Sequence, residues 1–168
     1  MNKTLVISLA LVALGGAGYF VIAEQKAQPV LTNIRLKTLD GVEVTLDGPD
    51  LAGKRAAICI LSSWSGLCET QARQVIANAG GVDKLVFICQ GEEREVREFR
   101  ARLKAESHLW LKADGKVASD FASVFENITT LDRVPALIVI DGARKVLHAS
   151  IGELSDAEVK AALSAKAE

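Results

Sequence analysis

Cysteine and histidine are scarce in this chain, and their scarcity removes whole classes of protein. Three cysteines, Cys59, Cys68 and Cys89, in 168 residues are too few and too irregularly spaced for a disulfide scaffold. The two histidines, His108 and His148, lie far apart and are not flanked by cysteine. No metal-ligand spacing appears, and no metal or cofactor is implied. A surplus of charge is missing as well. Acids and bases are evenly mixed, with a formal net charge of -1, which argues against nucleic acid as a partner.

What the chain does have is apolar content, 49% of its residues, enough for one domain of ordinary size with a real core. Thr4 to Ala23 is an uninterrupted apolar stretch after Lys3 and before Glu24 and Lys26. Its length is what a hydrocarbon core of about 30 Å requires. This is longer than the roughly 7–15 apolar residues of a signal peptide, which favours a retained anchor; Val21-Ile22-Ala23 offers a small-residue cleavage site as the alternative. Lys3 keeps the short end in the cytoplasm. The expected organisation is therefore an anchor or signal peptide over 1–23, a linker over 24–30 and one domain over 31–168. The domain then faces an oxidising compartment, where thiol chemistry has a use.

Leu31 to Leu46 reads as two extended segments around Asp40-Gly41, a hairpin signal, with Ile34, Leu36, Val42 and Val44 at period two. Ala56 to Leu61 is a short continuous apolar run, the mark of a strand buried on both faces of a parallel sheet. A helix is expected over Glu69–Asn78, stopped by Gly80-Gly81. Leu85–Cys89 is a second buried strand. Glu92–Glu106 is an amphipathic helix with Val96, Phe99 and Leu103 at helical spacing. A strand at Leu109–Leu111, a helix over Val117–Phe125 and a hairpin of Ala136–Ile140 with Lys145–Ser150 around Asp141-Gly142 follow. Ser155-Asp156-Ala157-Glu158 is a capping box opening a last helix. The alternation makes an α/β sandwich with a mixed sheet.

The place to look for chemistry is Ile58 to Thr70. An apolar strand breaks there at a small polar turn and sets Cys68 where a helix begins. The first helical N–H groups and the positive end of the helix dipole bias such a thiol towards thiolate.

These features, in this order, resemble the thioredoxin superfamily, and within it the membrane-anchored TlpA/ResA-like redoxins. The resemblance rests on the Leu39–Leu46 hairpin with Gly53-Lys54 ahead of the first core strand. Ser63-Trp64-Ser65-Gly66-Leu67-Cys68 stands in the place of the family's Trp-Cys-x-x-Cys. Val134-Pro135-Ala136 followed by Asp141-Gly142 resembles the family's cis-proline strand, and Gly152-Glu153-Leu154 the glycine before its last helix. The implied fold is thioredoxin-like: a mixed central sheet flanked by helices, with an N-terminal β-hairpin and a central strand-helix insertion.

The resemblance also implies roles. Pro135, with Val134 before it, is where an extended substrate docks, and Trp64 packs beside the turn and shields it. Cys68 matches the second, resolving thiol of the pair; Ser65 stands where the attacking thiol belongs. A hydroxyl cannot enter a mixed disulfide, so a dithiol cycle cannot run through these two positions. Three readings stay open. In the first, single-cysteine thiol–disulfide chemistry persists at Cys68, exposed by loss of the first thiol, with Cys89 at the neighbouring strand end as a substitute partner. In the second, the fold survives as a non-catalytic module for maturation of a periplasmic protein, like the MauD-like accessory proteins. The third is a peroxiredoxin-like peroxidase, from the Ser65-x-x-Cys68 spacing, although Leu61 and Pro135 stand where that site has proline and arginine. The partners implied are protein thiols or a periplasmic client, a membrane electron donor as a further candidate, and the inner membrane itself through the N-terminal helix. Asn127-Ile128-Thr129 fits a glycosylation sequon.

Overall fold

The computed structural model describes residues 29–32, 34–114, 116–121, 124–125 and 134–166. Asp40-Gly41 turns the chain between β1 (Arg35–Thr38) and β2 (Glu43–Thr45), antiparallel with Leu36 opposite Val44. Gly41 sits at φ +80°, a left-handed conformation that glycine takes without steric cost. Ile34 and Leu36 are buried as period two predicts, but Val42 is exposed. It lies in the turn, before the alternation of β2 begins.

Each later strand lies within a residue of its expected bounds. β3 (Ala56–Ser62), β4 (Lys84–Gln90) and β5 (Leu109–Lys112) run parallel, β6 (Ala136–Ile140) pairs antiparallel with β3, and β7 (Val146–Ile151) with β6. The sheet order is β2-β1-β5-β4-β3-β6-β7. All seven residues of β3 are buried, as a strand covered on both faces must be.

Among the described residues four α-helices follow the strands: α1 (Gly66–Ala77), α2 (Glu93–Arg102), α3 (Val117–Asp120) and α4 (Asp156–Ser164). Alternation along the strands divides the core. Cys59, Leu61, Phe87 and Cys89 point to the layer made by α1, α2 and α4. Ile58, Ile60, Val86 and Ile88 point to the other layer, where Leu46, Phe121 and Phe125 lie. All three cysteines thus share the first layer. Phe87 stacks on Trp110 at 4.6 Å between ring centroids, and Phe99 meets Trp110 edge-on at 6.1 Å, which seats α2 on the sheet.

Three helix bounds depart from the expectation. α1 starts at Gly66 and not Glu69, because Ser65 caps it. α2 stops at Arg102 and not Glu106: Lys104 takes φ +53°, and the Ala105 carbonyl beyond it accepts the indole N–H of Trp110 at 2.9 Å. A buried indole N–H needs an acceptor, and here the end of the helix supplies it. α3 is regular only to Asp120, after which the Phe121 carbonyl accepts the Phe125 N–H at 3.3 Å. α4 carries the expected capping box: Ser155 Oγ accepts the Glu158 N–H at 3.4 Å, and the Glu158 carboxylate accepts the Ser155 N–H at 2.8 Å. Its C-terminal end has no basic residue of its own in the last turn. Arg55, from the start of β3, donates to the Leu163 and Ala165 carbonyls at 2.7 and 2.5 Å, satisfying groups that a helix end leaves open.

Among the described residues no helix is long and apolar enough to cross a membrane. The Thr4–Ala23 stretch, most of the linker, the Asn127 sequon and Arg133 lie outside those residues. Ser155→Ala removes one arm of the capping box and should lower stability by about 1 kcal/mol. A urea titration checks this as a lower midpoint at unchanged slope; an unshifted midpoint contradicts it.

Candidate functional site

β3 carries the chain to the end of the sheet, where Ser63 and Trp64 turn it and Ser65 begins α1. Ser65 has extended backbone angles, φ -97° and ψ 120°, and its Oγ accepts the Cys68 N–H at 3.4 Å. Short polar side chains favour this position because they satisfy an open N–H of the first turn. Cys68 is then the third residue of the helix. Its sulfur folds back and accepts the Ser62 N–H at 3.3 Å. The helix dipole and that N–H both place positive potential at the sulfur.

The expectation that losing the first thiol exposes Cys68 is not met: Cys68 is 0% exposed. A serine fills the vacated place with its oxygen turned to the Cys68 amide, and the sulfur remains against the β3 main chain. Trp64 also departs from its expected role. It neither shields the turn nor enters the core, but stands 68% exposed, with Leu67 53% exposed two residues past Ser65. The turn therefore presents an apolar pair to solvent over a buried thiol.

The opposite wall is the predicted proline strand. The Val134–Pro135 peptide bond is cis. Ala136 pairs with Ile60, so Pro135 enters the sheet where β3 runs out towards Ser62. Pro135 is buried and Val134 half-buried, with Val134 packed against both core layers. The Pro135 carbonyl accepts the Gly152 N–H at 2.8 Å, and Gly152 has φ +97°.

Three supporting residues have roles that no pattern in the sequence marks. Gln71, one turn after Cys68 and 1% exposed, accepts the Leu154 N–H on its side-chain oxygen at 2.7 Å. It thereby ties α1 to the segment after Gly152. A lone glutamine at i+3 on the buried face of a helix is its only trace in the sequence. Ser63 is buried, and its hydroxyl donates to the Glu95 carboxylate at 3.5 Å. Gly91 has φ +138°, and a Cβ there would lie 2.2 Å from Ser63 Oγ, so this position admits glycine alone next to the turn.

Cys89 lies at the end of β4 with Leu61 as its register partner. It is fully buried, as are the other two cysteines, and all three are free thiols. Burial, reinforced by the neighbouring Cys68 charge, pushes Cys89 up to about 12. The same causes push Cys59 higher still. Little of a peroxidase site is present: Leu61 and Pro135 hold two of its positions with apolar side chains, and Ser65 directs its oxygen at an amide and not at the sulfur. A cavity of about 580 Å³ opens at the far end of the sheet, by Asp50, Asp83, Lys84 and His108, and no cysteine lines it.

The Redoxin family model matches residues 23–164. The chain belongs to the Redoxin family. Among solved structures, MTB dsbF, in mixed oxidized and reduced forms, resembles this redoxin with a TM-score of 0.65 and 22% identity, over 82% of this chain and 98% of that one. A thiol:disulfide interchange protein of the thioredoxin family from Chlorobium tepidum TLS has a TM-score of 0.66 and 19% identity, over 84% and 99%. A secreted thiol-disulfide isomerase from Corynebacterium glutamicum has 0.65 and 14%, over 89% and 96%. These likenesses make the fold thioredoxin-like. No curated protein matches the redoxin in sequence.

The buried thiols give the redoxin an alkaline limit. An unfolded cysteine ionises near its ordinary value of 9.0, whereas folded Cys89 holds its proton to about 12. The unfolded chain thus releases a proton that the fold keeps, so this contribution to stability is full below 9 and is lost as pH rises towards 12. Cys89→Ala should flatten that decline from about pH 9 upwards, towards about pH 12. Urea unfolding at several pH values checks it; parallel curves for parent and variant contradict it.

Proposed function

We propose that this redoxin acts on protein clients outside the cytoplasm, held to the membrane by Thr4–Ala23, as a single-cysteine relative of thiol–disulfide oxidoreductases. The observation that carries the reading is that Trp64 and Leu67, on either side of the Ser65 cap, are exposed while Cys68 next to them in the chain is buried, at the sheet end where cis-Pro135 enters. Large apolar side chains exposed beside a preformed strand end are the kind that anchor an extended polypeptide, and tryptophan contributes most to such contacts. The secreted relative from Corynebacterium glutamicum and the unbroken apolar stretch near the N-terminus support the compartment.

The chemistry follows from what the turn holds. Cys68 as thiolate attacks a client disulfide; its sulfur bonds to one client sulfur, and the other leaves as a thiolate that takes up a proton. Ser65 has no sulfur with which to displace the client. Because Cys68 is buried and bonded to the Ser62 amide, the first turn of α1 must lift before a client sulfur can reach it. Exchange at Cys68 is accordingly slow beside that of an exposed thiol.

The burial of Cys68 also favours a second reading, in which the same surface holds a client without chemistry, as an accessory in maturation of an extracytoplasmic protein. One experiment separates the two. Native protein is treated with an alkylating agent and each cysteine is followed by mass, while clients are captured from the native membrane with wild-type, Cys68→Ser and Trp64→Ala protein. The exchange reading expects Cys68 to be alkylated faster than Cys59, and a reducible adduct with client that Cys68→Ser abolishes. Equal protection of both thiols until denaturant is added, with capture undiminished in Cys68→Ser, leaves the accessory reading. In both, Trp64→Ala should weaken capture about tenfold or more, the scale of an interface hot spot. Unaltered capture removes the docking surface.

A further inference from the structure

We infer that Cys89 is the thiol that resolves the mixed disulfide on Cys68, so that reduction of a client disulfide closes an internal Cys68–Cys89 bridge in this redoxin. The inference rests on the exchange reading above and adds the second half of its reaction. The juxtaposition comes from the backbone. Ser62 and Gln90 are register partners on the parallel strands β3 and β4. The Ser62 N–H donates to Cys68 Sγ at 3.3 Å, and Cys89 Sγ donates to the Gln90 carbonyl at 3.5 Å. Both sulfurs are therefore bonded to the main chain of one register pair: Cys68 to an amide that faces away from β4, and Cys89 to the carbonyl that also accepts the Ser63 N–H at 3.0 Å. They lie in the same core layer, under α1.

Cys59 is the competing partner and is placed less well. It shares the layer, but its register partner is Phe87, two residues deeper along the sheet than Leu61 and Cys89. A bridge from Cys68 to Cys59 has to reach down past Leu61; a bridge to Cys89 crosses over β3 at the sheet's end, beside the first turn of α1 that exchange has to lift. The arrangement also explains a distribution that packing alone leaves unexplained. The third cysteine of a chain with only three falls at the strand end beside the one cysteine of the turn.

The balance is complete without an outside oxidant beyond the client. Cys68 and one client sulfur form the mixed disulfide while the other client sulfur is released as a thiol. Cys89 then attacks Cys68 Sγ, its S–H proton passes to the departing client sulfur, and the client leaves with both sulfurs reduced. Two protein thiols are oxidised to one bridge, and one client disulfide is reduced to two thiols. Burial and the Cys68 charge both hold the proton on Cys89; the mixed disulfide removes that charge, and Cys89 gives its proton to the departing client sulfur as it attacks.

The test treats the full chain, reduced and native, with dithionitrobenzoate as the probe disulfide. Wild-type protein should release about two thionitrobenzoates per chain at Cys68 and end with a linked Cys68–Cys89 peptide pair. Cys89→Ala, which keeps the buried position small and apolar, should release about one and retain the adduct, with at least about tenfold more adduct than wild type. Cys59→Ala should behave as wild type. A stable adduct on wild-type Cys68 with Cys89 free, or a bridge to Cys59, overturns the inference and leaves the exchange reading standing. If the probe does not react with native Cys68, the exchange reading falls. Oxidation with diamide, a smaller reagent, then decides the bridge alone: a linked Cys68–Cys89 pair upholds the juxtaposition, and two free thiols overturn it.

Discussion

A strand that is apolar on both faces is stable only between two covering layers, and Ala56–Ser62 is such a strand. The helices α1, α2 and α4 on one side and the Leu46, Phe121 and Phe125 layer on the other exist to cover it and its neighbour β4. Because β3 pairs in parallel with β4 and antiparallel with β6, one end of the sheet gathers the exit of β3, the exit of β4 and the entry of β6. The turn, Cys89 and cis-Pro135 all lie there. Open α/β sheets bind ligands at this kind of edge, and the burial of β3 is what places it.

At that edge Ser65 does what a helix N-terminus needs, accepting the Cys68 amide, so the first turn of α1 is capped with no thiol at that place. The fold requires Gly91 against Ser63 and Gln71 against the Leu154 amide, which hold the turn and the segment beyond Gly152 in place. In the proposed exchange reading, chemistry has to pass through the buried Cys68 thiol next to the exposed Trp64 and Leu67, which would link client docking, opening of the turn and reactivity in one surface.

Much of the fold was legible in the residues. Continuous apolar runs located β3, β4 and β6 to within a residue, Asp40-Gly41 located the first hairpin, and Ser155 with Glu158 located the start of α4, because each signal acts through neighbours in the chain. The errors fell where a distant group intervened. α2 ends early because Ala105 serves the indole of Trp110, and Val42 is exposed because period two has no meaning in a turn. Of the site, Cys68, Ser65 and the cis-Pro135 strand were readable; Gln71, Ser63 and Gly91 were not, since nothing near them in the chain marks the partners they meet.

The sequence by itself determined the secondary elements, the mixed α/β class and a serine three residues before Cys68 at the head of α1, all of which follow from residue type and local spacing. Only the tertiary structure decided that Cys68 is buried, that Trp64 faces solvent, and that Cys89 lies opposite Leu61, two residues before the turn. Exposure and register are sums over contacts between segments distant in sequence, and no local pattern contains them.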